Sequence, residues 1–149
     1  MAYCTVDEIF GAVKEDALNT MLGTDYIEDL EERKEAVTQL VVQAIEDADA
    51  EINGYLAKRY EIPLKVIPKV LNKFSKDITV YNLASRSGIQ EDSGEKTVLT
   101  RYNAAIKFLE NVAKGMIEIG VTKSQEAAAT GFRMKSSKRL FSRETMKGW

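Results

Sequence analysis

The chain has no histidine and a single cysteine, Cys4. The first absence removes the usual imidazole base, so no histidine can activate the serines and threonines. The second excludes an internal disulfide and fits a reducing compartment. One thiol without imidazole cannot complete the nitrogen and sulfur set of a structural zinc. No apolar run reaches the length of a membrane span, and Met1-Ala2-Tyr3 opens without the basic and apolar regions of a signal peptide. A soluble, unexported protein is expected, with no membrane partner. A phosphate loop is missing as well. Residues 88–97 have its glycine spacing and Lys-Thr only approximately, Glu95 intrudes, and a helical pattern precedes them where a strand is needed. These residues point to no cofactor and no catalytic site, so the expectation is that the chain is not an enzyme.

What is present is helical periodicity. Between residues 32 and 60, Val37, Leu40, Val41, Ala44, Ile45, Ala48, Ile52, Tyr55 and Leu56 recur at steps of three and four, which puts them on one face of one long helix. Such a helix runs on the order of 40 Å and needs other helices alongside it, so it reads as the spine of a bundle. Glu61-Ile62-Pro63 ends it, because the residue before a proline is driven out of the α region. Upstream, Thr5-Val6-Asp7-Glu8 has a capping-box pattern, which predicts a short helix with Val6, Ile9, Phe10 and Val13 on its sticky face. Residues 16–30 read as short helical turns and loop. Downstream, the apolar loop 62–68 is expected to fold back on the core. Pro68 suits the start of a helix over 69–85 bearing Val70, Leu71, Phe74, Ile78 and Tyr81, with Gly88 as a C-cap. Asp92 and Glu95 can cap a third helix, to about 113, with Val98, Tyr102, Ala105, Ile106, Leu109, Val112 and Met116 in its stripe. The predicted fold is all-α: a small bundle of a long spine, two further long helices and short N-terminal helices, followed by an extended C-terminal arm.

The net charge of −2 hides a division. Residues 1–120 hold 14 basic and 21 acidic side chains, a balance of −7, and residues 121–149 hold 7 and 2, a balance of +5. The chain therefore divides into a helical domain, 1–120, and a basic arm, 121–149. In the arm Phe132, Arg133, Lys138, Arg139, Phe141, Arg143, Met146 and Trp149 alternate bases with isolated apolar groups and form no face that could join the core. They are the candidate docking residues, with Phe141, Met146 and Trp149 as anchors and Arg133, Lys138, Arg139 and Arg143 for steering. The same composition suits phosphates and stacked bases, so a small DNA-binding regulator or packaging accessory is the alternative reading. Asp47-Ala48-Asp49-Ala50-Glu51 resembles the start of a calcium loop, but Ile52 stands where glycine is required and Lys58 where the bidentate glutamate belongs. It reads as a solvated helix face. Asp77 falls between Phe74, Ile78 and Tyr81, and a buried carboxylate needs a partner, for which Arg59 and Arg101 are the candidates.

Taken together, Tyr3-Cys4-Thr5-Val6-Asp7-Glu8-Ile9, the run from Ala44 through Leu56 with Arg59-Tyr60 and Ile62-Pro63-Leu64, Asp77-Ile78 with Tyr81, and the ending Phe141 through Trp149 resemble the phage Mu-like head-completion family. The resemblance spans nearly the whole chain and rests on structural motifs. It implies a helical head–tail connector subunit in the virion neck, made in the bacterial cytoplasm. It further implies a ring of identical copies, commonly twelve, between the portal and the tail terminator or other neck and tail proteins, with DNA passing through unbound. An acidic body would keep such a passage from gripping phosphates.

Overall fold

Thr5 opens the fold as the capping pattern requires. Its hydroxyl accepts from the Glu8 amide at 3.4 Å, and its own amide donates to the Glu8 carboxylate at 2.9 Å, which starts α1 at Val6–Ala12. The computed structural model describes residues 2–86 and 95–121, with only the backbone of Glu95, and four more helices follow there: α2 Glu15–Leu22, α3 Leu30–Leu56, α4 Lys69–Ser85 and α5 Glu95–Lys114. The fold is all-α. The expected turns of residues 16–30 resolve into α2 and a loop. α2 ends at Gly23, whose φ of 63° is the left-handed value that glycine adopts without a Cβ penalty.

The spine is α3. Asp29 caps it, its carboxylate accepting from the amides of Glu31 at 2.8 Å and Glu32 at 3.2 Å, and both glutamates favour the positive end of the helix dipole. That cap moves the start two residues ahead of the expected one. The helix ends at Leu56 rather than Tyr60, where Ala57 through Arg59 turn and deliver Tyr60 into the core.

Two clusters share the spine. Val37, Val41, Ala44 and Ile45 in its first half bury against Ile9, Leu18 and Leu83, while Ala48, Ile52 and Leu56 in its second half bury against Leu71, Ile78, Ala105, Leu109 and Val112. Because the start of α4 meets the end of α3 and the end of α4 meets the first half, α4 runs antiparallel to the spine. Its observed bounds are those read from the sequence. The loop after α3 does fold back, burying Tyr60 and Leu64 with Ile62 and Ile67 packed against them. Aromatic pairs join α4 to α5: Tyr81 stacks on Tyr102 with centroids 3.9 Å apart, and Phe74 meets Phe108 at 4.7 Å. Such pairs add about 0.5–1.5 kcal/mol each beyond their buried area.

Three expectations fail for identifiable reasons. Phe10 is turned outward rather than into the core, since Ile9 already fills the space beneath α1. Met116 is 74% exposed because α5 stops at Lys114 and Gly115, at φ 80°, redirects the chain. Asp49 does not lie on a solvated face but is partly buried against the N-terminal segment and α4. Gly88 and Asp92 lie outside the described residues.

Candidate docking surface

The outward-turned Phe10 stands beside an apolar groove. α1, α2 and the first turns of α3 diverge around a groove of about 330 Å³, with Phe10, Asn19, Leu30 and Val37 along it and Glu15 and Lys34 at its edges. Asn19 is held in place by Thr24, whose hydroxyl donates to its side-chain oxygen at 3.2 Å. Arg33 also borders the groove, but its guanidinium donates to the Ile27 carbonyl from Nε at 2.8 Å and from Nη2, which fixes the loop ahead of α3. Leu30 is 64% exposed and Tyr26, in the same loop, 81%. Apolar groups left in solvent beside one groove mark an interaction surface more often than isolated exposed residues do.

Charge is concentrated at this end. Residues 1–45 carry ten acidic and three basic side chains, and residues 46–120 carry eleven of each, so the whole excess of −7 belongs to α1, α2, the loop and the first half of α3. Asp16, Glu28, Asp29, Glu31 and Glu32 are all exposed there.

A second constellation lies inside. Asp49 accepts from the Tyr3 amide at 3.1 Å and from the Ser75 hydroxyl at 3.3 Å, while that hydroxyl also faces Cys4 Sγ at 3.2 Å. Tyr3 donates its phenol to Asn53 at 2.6 Å, and Asn72 donates to the Tyr3 carbonyl at 2.9 Å and to Glu8. Burial pushes the Asp49 carboxyl above its ordinary value, against the pull of the Tyr3 and Ser75 donors. Burial likewise raises the Cys4 thiol, which makes it a poor nucleophile at neutral pH. Glu8 shifts the other way, lowered first by the Thr5 amide and then by Asn72. Tyr102 donates to Glu51 at 3.1 Å, and burial with that carboxylate pushes its phenol up to about 12. The arrangement is a polar knot tying residues 3–8 to α3 and α4. Among the described residues no group of three or more metal-binding side chains converges, and no helix is long and apolar enough to cross a membrane.

Among the described residues, the candidates Asp77, Arg59 and Arg101 do not form one ion-pair cluster. Asp77 is held by Lys73, Nζ to Oδ2 2.8 Å, four residues earlier on α4, and not by Arg59 or Arg101. A lysine one turn away on the same helix reaches the carboxylate at less entropic cost than a side chain from elsewhere. Arg101 lines the same small cleft as Asp77, whereas Arg59 lies across Gly115. Phe132, Arg133, Lys138, Arg139, Phe141, Arg143, Met146 and Trp149 lie outside the described residues. Sequence reasoning missed Asp49 and the groove. Asp49 occupies the helical position next to buried Ala48, a weak signal in itself, and its partners come from residues 46 and 26 positions away.

Residues 3–137, all five helices and the beginning of the basic segment, match the family model described as Bacteriophage Mu, Gp36. The chain belongs to that family. It is 33% identical to the Mu-like prophage FluMu protein gp36 of Haemophilus influenzae over 111 residues, 73% of this chain and 74% of that protein. To Gene product J of Escherichia phage Mu it is 30% identical over 105 residues, 68% of this chain and 70% of that one. As a Gp36-family member it is a phage protein, and the family match includes every residue of the groove and of the polar knot.

Proposed function

We propose that this Gp36-family chain is a structural head–tail connector subunit of a phage or prophage. In this reading copies of it form a ring in the virion neck, commonly of twelve, between the portal and the tail terminator or other neck and tail proteins. DNA passes through the ring without being held. The observation that carries the reading is membership of the Mu Gp36 family across nearly the whole chain. Two features support it. A helical domain whose excess negative charge falls within its first 45 residues presents acidic surface that repels duplex phosphates. An outward apolar groove among those same residues offers a place for another protein surface. The role needs no catalytic residue and no cofactor, and the basic arm, 121–149, serves protein contacts.

The test is the size and shape of the purified full-length protein, alone and mixed with the portal, by light scattering and negative-stain microscopy, with duplex binding measured across a salt series. Closed rings, or rings formed on the portal, together with no measurable duplex affinity are the expected result. A monomer that ignores the portal and binds duplex with a steep salt dependence would overturn it and make the chain a DNA-binding regulator or packaging accessory.

A further inference from the structure

We propose that the groove between α1, α2 and the first turns of α3 is the receptor for the basic segment 138–143 of this chain. Leu140 and Phe141 enter it, while Lys138, Arg139 and Arg143 lie over its acidic surroundings.

Charge selects this occupant. The body carries its acidic excess in residues 1–45, at −7, and the chain has one strongly basic stretch, residues 121–149 at +5. Within that stretch Lys138-Arg139-Leu140-Phe141-Ser142-Arg143 sets two large adjacent apolar residues between three cations. The groove has Phe10, Leu30 and Val37 as its apolar surface and Glu15, Arg33 and Lys34 as its charged lining, and the exposed acids Asp16, Glu28, Asp29, Glu31 and Glu32 stand around it on the elements that form it. Arg33 keeps its charge but is drawn toward the Ile27 carbonyl, and Lys34 can lay its stem against an apolar guest and keep its ammonium in water. A guest with apolar side chains and no cations would leave those acids unpaired.

Length permits the docking. Ile119 donates its amide to the Tyr60 phenol at 3.4 Å, so the described chain ends beside the C-terminal end of α3, opposite the groove. From Leu56 back to Lys34 the helix covers about 33 Å. The 17 residue steps from Val121 to Lys138 can span up to about 56 Å. The groove of the same copy is within reach. That a neighbouring copy supplies the segment rests on the ring reading; the assignment of the groove does not.

The experiment uses the full chain carrying Lys34→Cys and Ser142→Cys, mildly oxidised and run on non-reducing gels, beside a control carrying Lys107→Cys and Ser142→Cys. Lys34 borders the groove, Lys107 is exposed on α5, and the native Cys4 is buried. The first pair should form a disulfide at roughly ten times the control yield, and high salt should reduce it. Adding Leu30→Lys should lower the yield by roughly tenfold, because it replaces an apolar contact with a like charge. Leu30 is mostly solvent-exposed, so that variant keeps its fold, which circular dichroism checks. Equal yields from the two pairs, or a yield indifferent to Leu30→Lys, would overturn the groove assignment, and rings that still form would leave the connector reading standing. A product of dimer size or larger supports both. A disulfide closed within one chain supports the groove and overturns the arm as a clasp between subunits.

Discussion

Asp49→Ala is the perturbation that most directly questions the polar knot. It removes the acceptor of the Tyr3 amide at 3.1 Å and of the Ser75 hydroxyl at 3.3 Å. Tyr3 and Ser75 are both buried, so neither donor can turn to bulk water, and each stranded donor costs about 1–3 kcal/mol. Ser75 retains Cys4 Sγ at 3.2 Å as a weak substitute, which places its share at the low end. The expected loss is therefore about 2–4 kcal/mol, or a fall of about 1–2 M in the urea midpoint. Asp49→Asn is the informative companion. It keeps one carbonyl oxygen for both donors and discards the charge that burial penalises, so its stability at neutral pH should lie within about 1 kcal/mol of the parent. The two should differ in their response to acid. The folded carboxyl of the parent binds its proton more tightly than the unfolded one, so that stabilisation is fully present below the ordinary value of 3.8 and is lost as pH rises through the raised folded value. Relative to Asp49→Asn, the parent gains stability on acidification. Urea unfolding followed by circular dichroism at neutral and acidic pH measures all three proteins. An alanine variant as stable as the parent would refute the reasoning, as would an asparagine variant as damaged as the alanine one.

Ile52→Ala, at a fully buried position of the spine, should cost about 2–5 kcal/mol, whereas Val42→Ala on the exposed side of the same helix should cost under about 0.5; thermal unfolding distinguishes them. Gly115→Ala should cost about 1–2 kcal/mol in chemical denaturation even in an Arg59→Ala background, because the φ of 80° is unfavourable to any side chain whether or not the guanidinium moves aside. Asp77→Asn should cost less than about 1 kcal/mol, since its partner Lys73 is an exposed lysine of the same helix; a larger loss would mean that the carboxylate holds something besides Lys73. Above pH 10 the folded protein should lose stability as Tyr102, held at about 12, is forced to ionise, and Tyr102→Phe should remove that part of the loss in an alkaline titration.

Helix positions and the buried stripe were determined by the sequence alone, because both arise within a short stretch of chain. The spacing of Val37 through Leu56, the Thr5 and Glu8 box and the bounds of α4 follow from a period of 3.6 residues and from local hydrogen bonds. The concentration of acidic charge and its basic counterpart were equally present in the order of residues. What the tertiary structure decided is which polar groups become interior and which apolar groups stay outside. Asp49 and Glu51 look like any solvated acids until Tyr3, Ser75 and Tyr102 are brought to them from distant positions. Phe10 belongs to an apolar face by its spacing, yet Ile9 takes the space under α1, and the space beside Phe10 is a groove because α1, α2 and α3 diverge there. Periodicity specifies the direction of a side chain around its own helix axis. Whether another element occupies that direction depends on crossing geometry, which is set by the packing of the whole core.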